Sequence, residues 1–126
     1  MTDFAAARRH MVDGQVRTTD VTDLRVISAL LEVPRERFMP PASALLAYLD
    51  LDVPVGASRR LLKPMVLAKL IKAAELVVTD RVLDAGCATG YTAAVLARIV
   101  GHVVALEQDA GLSMMFTSGI MPPSGV

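Results

Sequence analysis

Asp84, Gly86, Ala88, Gly90 and Glu107 are the residues of this sequence whose types and spacing suit them best for chemistry. Asp84 ends a short apolar run, Val82-Leu83-Asp84-Ala85, and Gly86-Cys87-Ala88-Thr89-Gly90 follows before an alanine-rich stretch begins at Tyr91. A strand ending in an acid, a loop of small residues and then a helix bring free backbone N–H groups and a helix N-terminus to one point. That point is a cofactor cradle. Gly86 permits the sharp turn, Gly90 the close approach of helix to strand, and Ala88 keeps a small side chain where ligand would meet backbone. Glu107 lies about 20 residues beyond Gly86, at the end of the next strand, where a carboxylate can accept two hydrogen bonds from a ribose diol. A dinucleotide fingerprint would need glycine at positions 88 and 91, which hold Ala88 and Tyr91, so an oxidoreductase reading is disfavoured. Cys87, without a neighbouring histidine, reads as a small filler rather than a nucleophile.

These residues need a strand on either side of a helix. Val82 to Ala85 is read as the first strand, Tyr91 to Val100 as the helix ended by Gly101, and His102 to Glu107 as the second strand. Together they make one βαβ unit with parallel strands and a right-handed crossover. Upstream, Pro64 suits a first helical turn, and Val66, Leu67, Leu70, Ile71 and Ala74 share one side of a helix running to about Val77. Phe4, Ala7, Met11 and Val12 recur at helical spacing behind an Asp3 cap, which predicts a helix over residues 3–16. Val26, Ile27, Leu30 and Leu31 stripe a second helix, capped by Thr22 or Thr19 and stopped by Pro34. Ala42 to Tyr48 reads as a short helix, and Leu49 to Ser58 as a turn-bearing connector with Pro54 and Gly56. Three segments result: a helical cap over 1–60, the first half of an α/β domain over 61–109, and an atypical tail over 110–126. The tail lacks clear periodicity.

Composition narrows the function classes. Lys+Arg and Asp+Glu number 13 each, and the basic pairs Arg8-Arg9 and Arg59-Arg60 have no aromatic platform between them, so no nucleic-acid partner is expected. Both pairs read as solvated surface. A hydrophobic fraction of 53% and a mean hydropathy of +0.47 exclude disorder for the body of the chain. No uncharged stretch is apolar enough for a spanning helix, which predicts no membrane partner. Met1-Thr2-Asp3 carries acid where a signal peptide would carry base. One cysteine excludes an internal disulfide, and with only His10 and His102 it offers no zinc spacing, so a cytoplasmic protein without structural metal is expected.

The acid at Asp84 followed by Gly86, Ala88 and Gly90 resembles the Asp/Glu-x-Gly-x-Gly-x-Gly signature of S-adenosylmethionine-dependent methyltransferases. Four separated blocks carry a closer likeness: residues 7–17, Val33-Pro34-Arg35-Glu36-Arg37-Phe38-Met39-Pro40, Lys63-Pro64-Met65-Val66-Leu67-Ala68 and Asp80-Arg81-Val82-Leu83-Asp84-Ala85-Gly86. In order and spacing they resemble the N-terminal half of the protein-L-isoaspartate O-methyltransferase family. The resemblance implies an α/β, Rossmann-like methyltransferase fold made of an N-terminal helical cap and the first βαβ unit, truncated after Glu107. It implies S-adenosylmethionine as cofactor, with Asp84 at the methionine amino end, Gly86, Ala88 and Gly90 beneath the ligand, and Glu107 on the ribose hydroxyls. The implied activity is carboxyl O-methylation of isoaspartyl residues, protein repair, on a protein or peptide carboxylate acceptor. On the acceptor side the family reads close to Gly-His-Gly-Gln-Thr-Ile-Ser-Gln-Pro, whereas this chain has Gly56 to Pro64 with Leu62 at the hydroxyl position and Ser58, Arg59 and Arg60 in place of Gly-Gln-Thr. Leucine neither donates nor accepts a hydrogen bond. The rival expectation is a non-catalytic or truncated methyltransferase-like binding or interaction module, and on either reading an open sheet edge is expected to allow self-association.

Overall fold

Asp3 opens the first helix by accepting a 3.0 Å hydrogen bond from the Ala6 backbone, and α1 runs Phe4–Met11. The computed structural model describes residues 2–56 and 58–112. Beyond Met11 the chain widens into a π-helical turn, Val12–Val16, so the expected helix over residues 3–16 is one continuous coil with a looser second half. Met11, Val12 and Val16 face inward there. The next helix, α2, spans Leu24–Glu32 and buries Val26, Ile27, Ala29 and Leu30. Its cap is Asp23, which accepts from the Arg25 backbone at 2.9 Å, rather than Thr22 or Thr19. Thr19 instead donates to the Val16 carbonyl at 2.6 Å and so closes the preceding turn. Two 3-10 turns follow, Arg35–Phe38 and Pro41–Leu46, the second overlapping the short helix expected over Ala42 to Tyr48.

The second half of the connector read as turns is instead the first strand of a β-hairpin. Strand β1, Val53–Gly56, pairs antiparallel with β2, Arg59–Leu61, through a register irregularity between Pro54 and Gly56. A proline is tolerated because a two-stranded ribbon has only edges. Helix α3 covers Pro64–Ala73 with proline in its first turn and ends short of Val77, since Glu75 takes a left-handed φ of 51°. Leu67, Ala68 and Ile71 are buried, but Leu70 and Ala74 are exposed and line an open cavity instead of the core.

Strands β3, Arg81–Ala85, and β4, His102–Leu106, are parallel and in register from Arg81 opposite His102 to Ala85 opposite Leu106. Helix α4, Tyr91–Ala97, joins them and buries Tyr91, Ala93, Ala94, Val95 and Leu96; it stops three residues before the expected Val100. The Gly101 N–H donates to the Val78 carbonyl at 2.8 Å. Val103 is fully buried beneath α4, while Leu83, Val104 and Leu106 on the opposite face are exposed. Among the described residues β3 has no strand on its other edge. Residues 110–112 are helical and Leu112 is buried; the rest of the expected tail lies outside the described residues. No helix among the described residues is long and apolar enough to cross a membrane.

Candidate functional site

The loop after β3 turns on three left-handed residues, Gly86 at φ 71°, Ala88 at φ 52° and Gly90 at φ 92°, and delivers the chain into α4. It is tied to the end of β4, because the Gly86 and Cys87 N–H groups both donate to the Leu106 carbonyl, at 2.8 and 3.0 Å. The side chains of the two expected acids flank it. Asp84 leaves Oδ2 buried and without a hydrogen-bond partner among the described residues. Burial pushes its carboxyl above the ordinary value, and the charge of Glu107 adds to the effect. A buried carboxylate oxygen without a partner is costly, and a cation or donor placed there would reverse the shift.

Glu107 is the opposite case. Its side chain is only 2% exposed, yet each oxygen is doubly satisfied. Oε1 accepts from the Ala88 N–H at 2.7 Å and from Arg59 Nη2 at 2.8 Å; Oε2 accepts from the Asp109 N–H at 2.9 Å and from Arg59 Nη1 at 3.0 Å. The Arg59 guanidinium first, then the Asp109 N–H, hold this carboxyl down to about 2. Arg59 Nη2 also donates to the Gly86 carbonyl at 2.7 Å. The φ of Gly86 is what calls for glycine; a Cβ there would stand 3.3 Å from that nitrogen, at the movable end of the Arg59 side chain.

Arg59 and Gly86 belong to the walls of two open cavities. One, about 390 Å³, adds Leu62, Leu70, Asp84 and Thr92; the other, about 420 Å³, adds Leu106, Glu107 and Gln108. The reading of Arg59 and Arg60 as a solvated pair therefore holds for Arg60, which is exposed, but not for Arg59, which hairpin geometry turns inward. Nothing in local spacing links Arg59 to Glu107, since the pair forms only once β2 lies across the loop.

Leu62 follows β2 with its side chain partly open, and its carbonyl accepts from Arg35 Nη2 at 2.8 Å. Arg35 is fully buried, donates through Nε to the Ala47 carbonyl at 2.7 Å, and sits 4.8 Å above the Tyr91 ring. One arginine thus fixes the chain just after β2 against the first residue of α4. Sequence reasoning missed it, because an arginine in a Pro34-to-Phe38 connector carries no periodic sign of burial. Cys87 is buried, and burial pushes its thiol up, with the charges of Asp84 and Glu107 adding to the shift.

Residues 6–118 match the family described as Protein-L-isoaspartate(D-aspartate) O-methyltransferase (PCMT). A protein-L-isoaspartate O-methyltransferase 1 of Rhodopseudomonas palustris (strain HaA2) is 40% identical over 112 residues, 89% of this chain and 46% of its own length. The protein-L-isoaspartate O-methyltransferase of Roseiflexus sp. (strain RS-1) is 41% identical over 105 residues, 83% of this chain and 48% of its own. The chain spans about half the length of the curated relatives it matches. A solved protein-L-isoaspartate O-methyltransferase superposes with a TM-score of 0.72 at 26% identity, covering 87% of this chain and 37% of that one. A Plasmodium falciparum structure, titled as a putative protein-L-isoaspartate O-methyltransferase in complex with S-adenosyl-L-homocysteine, superposes at 0.71 with 17% identity over 93% of this chain and 54% of that one, a likeness of fold. The described elements are accordingly part of a Rossmann-like α/β methyltransferase fold. Since the matching stretch runs through cap, hairpin and cradle without interruption, the chain belongs to the protein-L-isoaspartate O-methyltransferase family.

Proposed function

We propose that this chain carries the S-adenosylmethionine-binding half of a carboxyl O-methyltransferase for isoaspartyl acceptors. The observation that carries this reading is the pair of carboxylates at the ends of β3 and β4 beside one left-handed small-residue loop, Asp84 with a buried, unpartnered oxygen and Glu107 with one oxygen on the Ala88 N–H. Asp84 Oδ2 would take the methionine ammonium, directly or through water, and Glu107 the ribose hydroxyls. Gly86, Ala88 and Gly90 would pass beneath, where larger side chains would intrude. The cofactor, when bound, supplies a sulfonium methyl. A carboxylate acceptor is already a nucleophile, so this chain's task is to position it and exclude water rather than to supply a strong base. Leu62 gives that acceptor no side-chain hydrogen bond, leaving backbone groups to hold it. The corresponding role is protein repair, which we place in the cytoplasm.

Calorimetric titration of the 126-residue chain with S-adenosylhomocysteine tests the cofactor half of this proposal. Binding is expected, and Glu107→Ala should weaken it by about 1.5–3 kcal/mol, the scale of hydrogen bonds to a charged group. Unchanged affinity in that variant would remove Glu107 from the site.

A further inference from the structure

Glu107 has no acceptor site to spare. A carboxylate offers about four lone-pair positions, and here they face the N–H groups of Ala88 and Asp109 and the two nitrogens of Arg59. The two backbone donors are fixed by the loop and by the chain just after β4. Arg59 is different: it reaches in from the β1–β2 hairpin, its side chain is 31% exposed, and its remaining anchor is the Gly86 carbonyl. Any ligand donating two hydroxyls to Glu107 needs the positions that Arg59 fills. We propose that Arg59 is an internal competitor that latches the hairpin over the cradle in the ligand-free chain, and that an adenosine-bearing ligand binds by displacing it. The proposal rests on the reading of Glu107 as the diol acceptor.

The latch has an energetic signature distinct from that of a ligand contact. A ligand contact, once removed, weakens binding; a competitor, once removed, strengthens it. An ion pair with one partly exposed member is also weakened by salt, so a neutral ligand should bind the latched chain more tightly as salt rises. A neutral diol is therefore the proper probe. 5′-Methylthioadenosine carries the adenosine and thioether but no acid that Arg59 could pair with after release.

The experiment titrates 5′-methylthioadenosine into the parent chain and into Arg59→Gln, an uncharged and shorter polar variant, at low and at high salt. Arg59→Gln should bind about fivefold more tightly at low salt. The parent should approach the variant as salt rises, and the variant itself should respond little. In ligand-free protein, carbon NMR of the Glu107 carboxyl should report a titration that moves up from about 2 in Arg59→Gln. Equal or weaker binding by the variant, with the parent binding normally, overturns the latch and leaves the cofactor reading standing. Absence of binding by both proteins at both salt levels removes the cofactor reading and the latch with it. Should Arg59→Gln fold poorly, the parent's salt response decides alone: tightening supports displacement, and weakening or no change overturns it.

Discussion

Ala88 is an alanine in left-handed backbone, φ 52°, at the centre of the cradle, and it is also buried at 5% exposure. Left-handed backbone costs an L-residue roughly 1–2 kcal/mol, whereas burying its methyl contributes about 0.8 kcal/mol. Ala88→Gly relieves the first and loses the second, with an added entropic cost of glycine in the unfolded chain, so its stability should fall within about 1 kcal/mol of the parent. Ala88→Val adds a β-branched side chain to the same φ and should lose at least about 2 kcal/mol. Urea denaturation of both variants checks this, and a valine variant as stable as the parent would contradict the strain. At this scale the sequence was largely readable. Asp84, Gly86, Ala88, Gly90 and Glu107 lie within one βαβ unit, so local spacing alone places them around one loop. Arg59 was hidden because its partner stands 48 residues away and is reached only through a hairpin.

Between elements, Arg35 is the piece that local patterns could not supply. It ties the turn bearing Ala47, the strand end at Leu62 and the Tyr91 ring of α4 through one buried guanidinium. Arg35→Met would relieve a desolvated charge but abandon the buried Ala47 carbonyl, worth about 1–3 kcal/mol without a donor, and the part-buried Leu62 carbonyl. The net loss should be about 2 kcal/mol, and Arg35→Lys should recover little, because an ammonium lacks the planar fork that spans both acceptors. A Met variant with the parent's urea midpoint would show the carbonyls finding other donors. The parallel pair β3 and β4 and the helix between them were legible from a strand–loop–helix–strand pattern. The hairpin was not, since Pro54 and Gly56 are turn residues everywhere except in a ribbon with open edges.

At the scale of the whole molecule, one face of the β3–β4 pair is exposed among the described residues. Leu83 is 60% exposed and Leu106 53%, next to a β3 edge with no partner strand among the described residues. Apolar surface beside an open edge favours association, so sedimentation of the isolated chain should show average mass rising with concentration, and Leu83→Lys should lower it. A concentration-independent monomer with a sharp thermal transition would contradict this. The chain's lone thiol offers a way to time such events. Cys87 is buried at 6% exposure inside the cradle, so a thiol reagent can reach it only while the loop is open. Its labelling rate is then a clock for opening: a rate independent of denaturant marks local fluctuation of the loop, and one that climbs with denaturant marks cooperative unfolding of the domain.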